Sequence, residues 1–389
     1  MIAAAAWEGL AWSVPWWLVL VATAWRWRDT PSLEDEPGDA PVPAPLLSVI
    51  VPARNEAAHI DACVRAILAT NYPSLELIVV DDHSTDATAS GALTAAGGDA
   101  RLTLLQPAAL PSGWMGKQWA CHAGAAVAGG DVLLFTDADV RHAPDLHARL
   151  VRTVLASGAD LVSVAGFQET RTFWERVVQP FVFAILALWF GGPGAVNRSR
   201  NPRRTIANGQ CLCFTRSAYD RFGGHAAVRG RPAEDLAFAQ GMTAAGMRVR
   251  LTLGTRQMST RMYGSLREIV AGWGKNVYAA GRETLPGGAA GRWLARLLVP
   301  APALAALVPV LALAGGAIGW LAPSTLWFGI SATAALTLCF VAIGREFALP
   351  PWYALTFPLG ALVYFCIAVR AVARGDRVEW KGRAYELEA

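Results

Sequence analysis

The chain has 389 residues, 54% of them hydrophobic and 16% charged, with a net charge of +4. A mean hydropathy of +0.33 is too high for an ordinary soluble enzyme and points to a membrane protein. The small net charge and the absence of a basic stripe, with Lys only at 117, 275 and 381, exclude a nucleic-acid partner.

Residues 3–25 are apolar except for Glu8 and Ser13, and Arg26 and Arg28 follow them. The stretch is long for a secretory signal and its charges come after it. It is expected to be a retained transmembrane anchor, 1–28, with the chain cytoplasmic from Arg26 onward. Residues 29–46 are Pro-rich and acidic, with no core-forming pattern, and read as a linker. Three further apolar stretches, near 293–320, 324–344 and 350–370, are each long enough to cross a bilayer, the first interrupted by Pro300, Pro302 and Pro309. The expected domains are therefore the anchor, the linker, a cytosolic body over 47–290, transmembrane helices over 291–371 and a polar tail over 372–389. The six cysteines form no paired framework, which suits a reducing, cytosol-facing body; Cys211 and Cys213 read as strand core.

Within the body, Leu47–Val51 is a short apolar strand ended by Pro52, and Ala53-Arg54-Asn55-Glu56 follows as a polar loop. An amphipathic helix is expected from about Ala57 to Ala69, with Ile60, Val64, Ile67 and Leu68 on one face. Leu75–Val80 is a second strand that delivers Asp81 and Asp82, with Ser84 or Asp86 as the next helix cap. Leu102–Leu105 is a third. This βαβαβ alternation predicts a doubly wound parallel sheet. Val132–Thr136 is an unbroken apolar run of the kind buried in parallel sheets, and it ends in Asp137-Ala138-Asp139. Open α/β sheets place their ligands at such carboxyl edges. Two carboxylates there suit one Mg²⁺ or Mn²⁺, which completes its shell with substrate phosphates; an acidic strand-end turn is the plainer alternative. No dinucleotide or P-loop fingerprint is present.

Gly113–Ala120 is a Trp-rich loop in which Gly116 and Lys117 suit a phosphate. Leu161–Ala165 is a further strand. Phe173–Phe190 is aromatic and apolar, but Glu175, Arg176 and Gln179 interrupt its start. It reads as an interfacial helix, because a crossing there would separate Asp137 from the acids downstream; a buried core helix is the alternative. Asn208–Phe214 is a strand and Arg216–Phe222 a helix stopped by Gly223-Gly224. A basic loop, 229–232, precedes Glu234-Asp235 at a helix start, where a carboxylate alone would be a cap.

Together Val49–Glu56, Val79–Asp86, Phe135–Asp139 and Glu234-Asp235 resemble the inverting, membrane-bound family 2 glycosyltransferases of GT-A fold. Gly116-Lys117, Trp119-Ala120, Gly272–Asn276 and Trp380–Tyr385 are similar to the hopene-associated glycosyltransferases of hopanoid gene clusters, related to ceramide and carotenoid glycosyltransferases. The resemblance implies that Asp81 and Asp82 contact the nucleotide, and that Asp137 and Asp139 hold the metal and diphosphate. It also implies that Asp235 is the general base, with Pro52, Arg54, Glu56, Lys117 and Glu234 at the substrate and Trp273 at the acceptor. Processive relatives carry Q-x-x-R-W where this chain has Ile269-Val-Ala-Gly-Trp273, so transfer of one sugar to a lipid in the bilayer is expected rather than polymer synthesis. The expected enzyme is a multi-pass protein of a bacterial inner membrane, with its catalytic domain cytoplasmic and a nucleotide-sugar as donor. A polyprenyl-phosphate acceptor, polymer synthesis and a non-enzymatic nucleotide-binding membrane protein stay as alternatives. Four crossings would put the tail outside, while Arg370, Arg374, Arg377, Lys381 and Arg383 favour the cytoplasm. The number of C-terminal spans stays open.

Overall fold

The computed structural model describes residues 2–285, 288–375, 377–380 and 383–386; Lys381 of the expected tail lies outside them. In chain order the elements are α1 (Ile2–Arg26), β1 (Leu47–Ala53), α2 (Ile60–Leu68), β2 (Leu75–Asp81), α3 (Thr88–Ala96) and β3 (Leu102–Leu105). Then come α4 (Gly116–Val127), β4 (Val132–Thr136), β5 (Val140–His142), α5 (Leu146–Ser157), β6 (Leu161–Ala165) and β7 (Phe167–Gln168). They are followed by α6 (Phe173–Phe190), α7 (Pro193–Arg198), β8 (Cys211–Thr215), α8 (Arg216–Phe222), α9 (Glu234–Ala244), β9 (Val249–Leu253) and β10 (Met258–Thr260). The last are α10 (Leu266–Thr284), α11 (Gly288–Leu298), α12 (Ala301–Ala317), α13 (Pro323–Glu346), α14 (Phe357–Arg374) and the hairpin β11 (Arg377–Trp380) and β12 (Arg383–Glu386).

These elements form two compact units. One comprises residues 29–169, 193–262 and 376–389; the other comprises 1–28, 170–192 and 263–375. The expected body over 47–290 is therefore interrupted, because α6 and α10 belong to the helical unit.

The first unit is built on a seven-stranded sheet of order β3-β2-β1-β4-β8-β6-β9. Alternate residues of the inner strands feed two cores. Val49, Val51, Leu77, Val79 and Leu134 pack on one face, and Ile50, Ile78, Val80, Leu133 and Phe135 on the other. With both faces covered, each strand reads as a continuous apolar run. The parallel expectation holds for β1, β2, β3 and β4. It fails at β8, which is antiparallel to both β4 and β6. The sheet is mixed. β5, β10 and β7 make a second, three-stranded sheet.

β1 runs one residue beyond Pro52, which pairs in register with Val80 of β2. Its pairing with β4 stops at Ile50, so the missing proline N–H lies beyond that ladder. Helix α2 starts at Ile60, three residues later than the periodicity suggests. The 29–46 segment is not a free spacer. Leu33 is completely buried in the core and Ser32 bridges to Leu253. The Arg149 guanidinium of α5 donates to the Leu33, Glu34 and Glu36 carbonyls, and Arg152 holds Asp39 and the Ala40 carbonyl. One leucine in a Pro-rich run gives no periodicity to read, which is why the segment looks like a linker.

In the helical unit, α1 lies against α13 and α12 pairs with α13. Among the described residues, four stretches are long and apolar enough to cross a membrane: Phe173–Arg198, Trp293–Ala317, Pro323–Glu346 and Pro351–Arg374. The first C-terminal stretch is broken near Pro300 into α11 and α12, as its prolines suggest.

Candidate active site

The carboxyl ends of β1, β2 and β4 open at one edge of the sheet. Asp81 and Asp82 end β2, Asp137 and Asp139 follow β4, and β1 lies between the two strands. The two acidic pairs therefore flank β1 and do not sit on adjacent strands.

The β1 and β2 ends interlock. Asn55 and His83 both adopt left-handed backbone, at φ 54° and 55°, a conformation uncommon outside glycine. The Asn55 N–H donates to the Ser84 hydroxyl and the Thr85 N–H to the Asn55 side chain, at 3.0 and 2.9 Å. The Glu56 N–H donates to Thr88 and the Ala57 N–H to Asp86. Asp86 also accepts from the Thr88 N–H at 3.0 Å, so it organises the start of α3, while Ser84 serves the neighbouring loop instead. Arg54 donates to the Asp82 carbonyl at 2.5 Å and lies 3.9 Å from the Asp82 carboxylate. Asp81 accepts from the Ser84 N–H at 3.1 Å. None of this cross-bracing was visible in the spacing; the density of Asn, Asp, Ser and Thr in both loops was its only signal.

The second group forms around Lys117, the second residue of α4. Its Nζ lies 2.7 Å from Asp137 Oδ1 and 2.7 Å from Glu234 Oε1, so three segments far apart in sequence meet at one ammonium. Burial pulls that ammonium down, but the two carboxylates outweigh it and hold it well above an ordinary lysine. Gln118 was missed in the sequence. It accepts from the Gly230 N–H at 2.9 Å and donates to the Arg231 carbonyl at 2.5 Å, fixing the basic loop that delivers Glu234 to Lys117.

Asp139 is half-buried, and its Oδ1 has no hydrogen-bond partner. Burial first, then Asp137 and Glu56, push its carboxyl up to about 7. A buried carboxylate oxygen without a donor, beside two further carboxylates, fits a divalent cation. Among the described residues no group of three or more His, Cys, Asp or Glu forms a metal cage. Mg²⁺ and Mn²⁺ rarely use one when phosphates complete the shell. Behind this turn, Thr136 bonds His142 at 3.1 Å, His142 bonds His147 at 3.1 Å and His147 bonds Thr70 at 2.8 Å. Burial holds both imidazoles well below their usual range, so the chain is neutral and satisfied.

Asp235 follows Glu234 in the first turn of α9. Its Oδ2 accepts from the Gly209 N–H at 2.9 Å and its Oδ1 from the Leu236 N–H at 2.8 Å. A Cβ on Gly209 would sit 3.1 Å from Oδ2, so glycine there allows the close approach. Burial and then Glu234 push the Asp235 carboxyl up to about 6. Trp273 lies in the helical unit, on α10. It is 7% exposed, donates to Gln179 Oε1 at 3.3 Å and packs edge-on to Phe183 and Tyr263.

Residues 48–223 match the family described as glycosyl transferase family 2. The chain is similar to 4,4'-diaponeurosporenoate glycosyltransferase of Staphylococcus haemolyticus (strain JCSC1435), at 25% identity over 245 residues, covering 62% of this chain and 63% of that protein. The protein of the same name from Staphylococcus aureus (strain MRSA252) is 27% identical over 252 residues, with coverage of 62% and 63%. The chain thus spans 63% of the length of these curated relatives. Among solved structures it is similar to the mannosyltransferase PcManGT from Pyrobaculum calidifontis in complex with GDP-Man and Mn²⁺. The TM-score is 0.57 at 22% identity, over 93% of this chain and 99% of that one. The fold is GT-A.

Proposed function

We propose that the protein is an inverting glycosyltransferase that moves one sugar from a nucleotide-diphosphate sugar to a lipid in the membrane. The observation that carries this is the convergence of Asp137, Lys117 and Glu234 beside the partnerless Asp139 oxygen and the raised Asp235 carboxyl. In this reading Asp81, Asp82, Pro52, Arg54 and Glu56 form the nucleotide side. Lys117 faces the diphosphate and Glu234 fixes Lys117. Asp137 and Asp139 would hold Mg²⁺ or Mn²⁺, which when bound neutralises charge on the departing diphosphate. The GDP-Man and Mn²⁺ held by PcManGT are consistent with such a donor and ion.

Asp235 takes the proton of the acceptor hydroxyl as that oxygen bonds the anomeric carbon and the bond to the diphosphate oxygen breaks. The nucleoside diphosphate leaves, and no covalent sugar–enzyme intermediate is needed. A carboxylate near 6 is a stronger base than an ordinary aspartate, yet stays ionised at neutral pH. Its two backbone N–H donors fix its orientation. Trp273 supports the acceptor side by holding α6 to α10.

The acceptor is a hopanoid or related lipid in this reading, and the enzyme is multi-pass in a bacterial inner membrane with its catalytic domain cytoplasmic. The names of the curated relatives favour a second acceptor, a carotenoid acid. Mass spectrometry of lipid extracts from cells with and without the gene separates these readings. A hexose-bearing hopanoid or carotenoid that disappears with the gene identifies the acceptor. Unchanged glycolipids, together with no donor hydrolysis by the purified protein in Mn²⁺, would overturn the reading.

A further inference from the structure

We infer that Thr136 is a positioning residue for sugar transfer: its buried hydroxyl ties the base of the Asp137-Ala138-Asp139 turn to the loop that orients Asp235. The inference rests on the glycosyltransferase reading and adds to it a residue that need touch neither substrate nor ion.

The sheet leaves this task to a side chain. β1 pairs with β4 only as far as Phe135, and β8 pairs with it as far as Thr136, opposite Cys211. Thr136 is therefore the last residue that the large sheet holds before the acidic turn. Beyond the turn, β5 starts at Val140 and belongs to the smaller sheet. The two arms of the turn thus sit in different sheets. A side-chain bond closes them at the base, with Thr136 Oγ1 3.1 Å from His142 Nε2.

The direction of that bond follows from its neighbours. Thr136 is 1% exposed, and its hydroxyl lies 2.9 Å from the Gln210 carbonyl. A carbonyl only accepts, so the single hydroxyl proton goes there. Thr136 then accepts from His142. Burial keeps both imidazoles neutral, so the His142 proton sits on Nε2 and its Nδ1 is bare. His142 Nδ1 in turn accepts from His147 Nε2 at 3.1 Å, and the bare His147 Nδ1 accepts from the Thr70 hydroxyl at 2.8 Å. The Pro144 carbonyl is the longer contact of that hydroxyl, at 3.2 Å, and already accepts from the Asn71 N–H. Every proton of the chain points towards Gln210. Both nitrogens of each ring are used, so the pair braces the turn and is neither a metal ligand nor a proton carrier.

Gln210 begins the other half of the site. The Gly209 N–H just before it donates to Asp235 Oδ2 at 2.9 Å. The same loop is anchored to β6 and β7. The Asn208 N–H donates to the Ser163 hydroxyl at 2.7 Å, its amide to the Val164 carbonyl at 2.8 Å, and the Gln168 amide to Gln210 Oε1 at 3.1 Å. Thr136 supplies the link to β4. From Asp137 the path to Asp235 runs through the Thr136 and Gly209 hydrogen bonds and the peptide links beside them. In-line displacement needs the acceptor oxygen and the departing diphosphate oxygen on opposite sides of the anomeric carbon. The spacing between the base and the carboxylates that would hold the ion is therefore part of the catalytic geometry.

The test compares the full-length wild type with Thr136→Val and Thr136→Ser. Valine keeps the volume and loses the hydroxyl; serine keeps the hydroxyl and loses a methyl. Thr136→Val should lower kcat about 10- to 100-fold, with the donor KM at saturating Mn²⁺ near wild type. Mn²⁺ binding without donor, read from the paramagnetic resonance of the free ion, should weaken about tenfold. Thr136→Ser should restore most of both. If valine matches the wild type, or serine is the more damaged of the two, Thr136 only fills space and the inference falls. The tautomers give a reading that does not depend on either variant folding. Nitrogen NMR of wild type with isotope-labelled histidine should find His142 and His147 neutral and protonated on Nε2. A proton on Nδ1 of either ring would break the chain and overturn the inference. A wild type with neither transfer nor Mn²⁺ binding would overturn the glycosyltransferase reading, and the positioning role with it.

Discussion

Replacing Lys117 by Met tests the central cluster. The side chains of Lys117, Asp137 and Glu234 are 25%, 30% and 12% exposed, so the ion pairs lie between the buried and surface regimes. Breaking a fully buried pair costs about 3–5 kcal/mol and a surface pair about 0–1. Glu234 also has further partners. A loss of about 1–3 kcal/mol of fold stability follows, and the variant still folds. Donor and metal should then respond in opposite directions. The diphosphate loses a charged hydrogen bond worth about 1.5–3 kcal/mol, which weakens its Kd roughly 10- to 150-fold. Mn²⁺ loses a competing cation from Asp137. Two charges in contact are worth about 4 kcal/mol at an effective dielectric of 20, and partial exposure leaves about a third of that, so Mn²⁺ should bind about tenfold more tightly.

The metal arm is measured from the paramagnetic resonance of free Mn²⁺, and the donor arm by calorimetry with a nucleoside diphosphate. Both belong at pH 8, because Asp139 sits at about 7 and Lys117 helps keep it ionised. Below that pH, the variant would lose metal through protonation and mask the gain. If Mn²⁺ and nucleotide affinities fall together, or neither moves, Lys117 does not lie between the cation and the diphosphate.

Other expectations are as direct. Asp139→Asn should abolish transfer and weaken Mn²⁺ binding at least tenfold without changing the circular dichroism; wild-type turnover would remove Asp139 from the metal site. Asp235→Asn should keep donor affinity and lose transfer by a factor of about 10² or more; weaker donor binding with high residual transfer would make Asp235 a helix cap. In the wild type at saturating Mn²⁺, which keeps Asp139 ionised, transfer should be flat above about pH 7, half-maximal near 6 and lower below it, because Asp235 works ionised and protonates as pH drops through about 6. Trp273→Ala should lower transfer to lipid far more than donor hydrolysis by water; equal losses would mean the indole serves folding alone.

Much of the site was legible because strand-end motifs are local. The apolar run into Asp137-Ala138-Asp139 announces both a buried strand and its edge, and Asp81-Asp82 does the same for β2. The placement of Glu234 beside Lys117 was not local. It depends on Gln118 drawing the 229–232 loop onto α4, a contact over 112 residues that no spacing encodes. The Leu33 segment illustrates a second limit. Its burial comes from two arginines of α5 gripping carbonyls, and carbonyls are present at every residue. α14 illustrates a third. Length and hydropathy decide whether a helix can cross a bilayer, and by that measure 351–374 can. Whether it does cross depends on which neighbours it meets at each depth. Those neighbours, Phe340 of α13 and Val299 among them, come together only in the tertiary fold, so helix depth is a tertiary property even where helix identity is written in the chain.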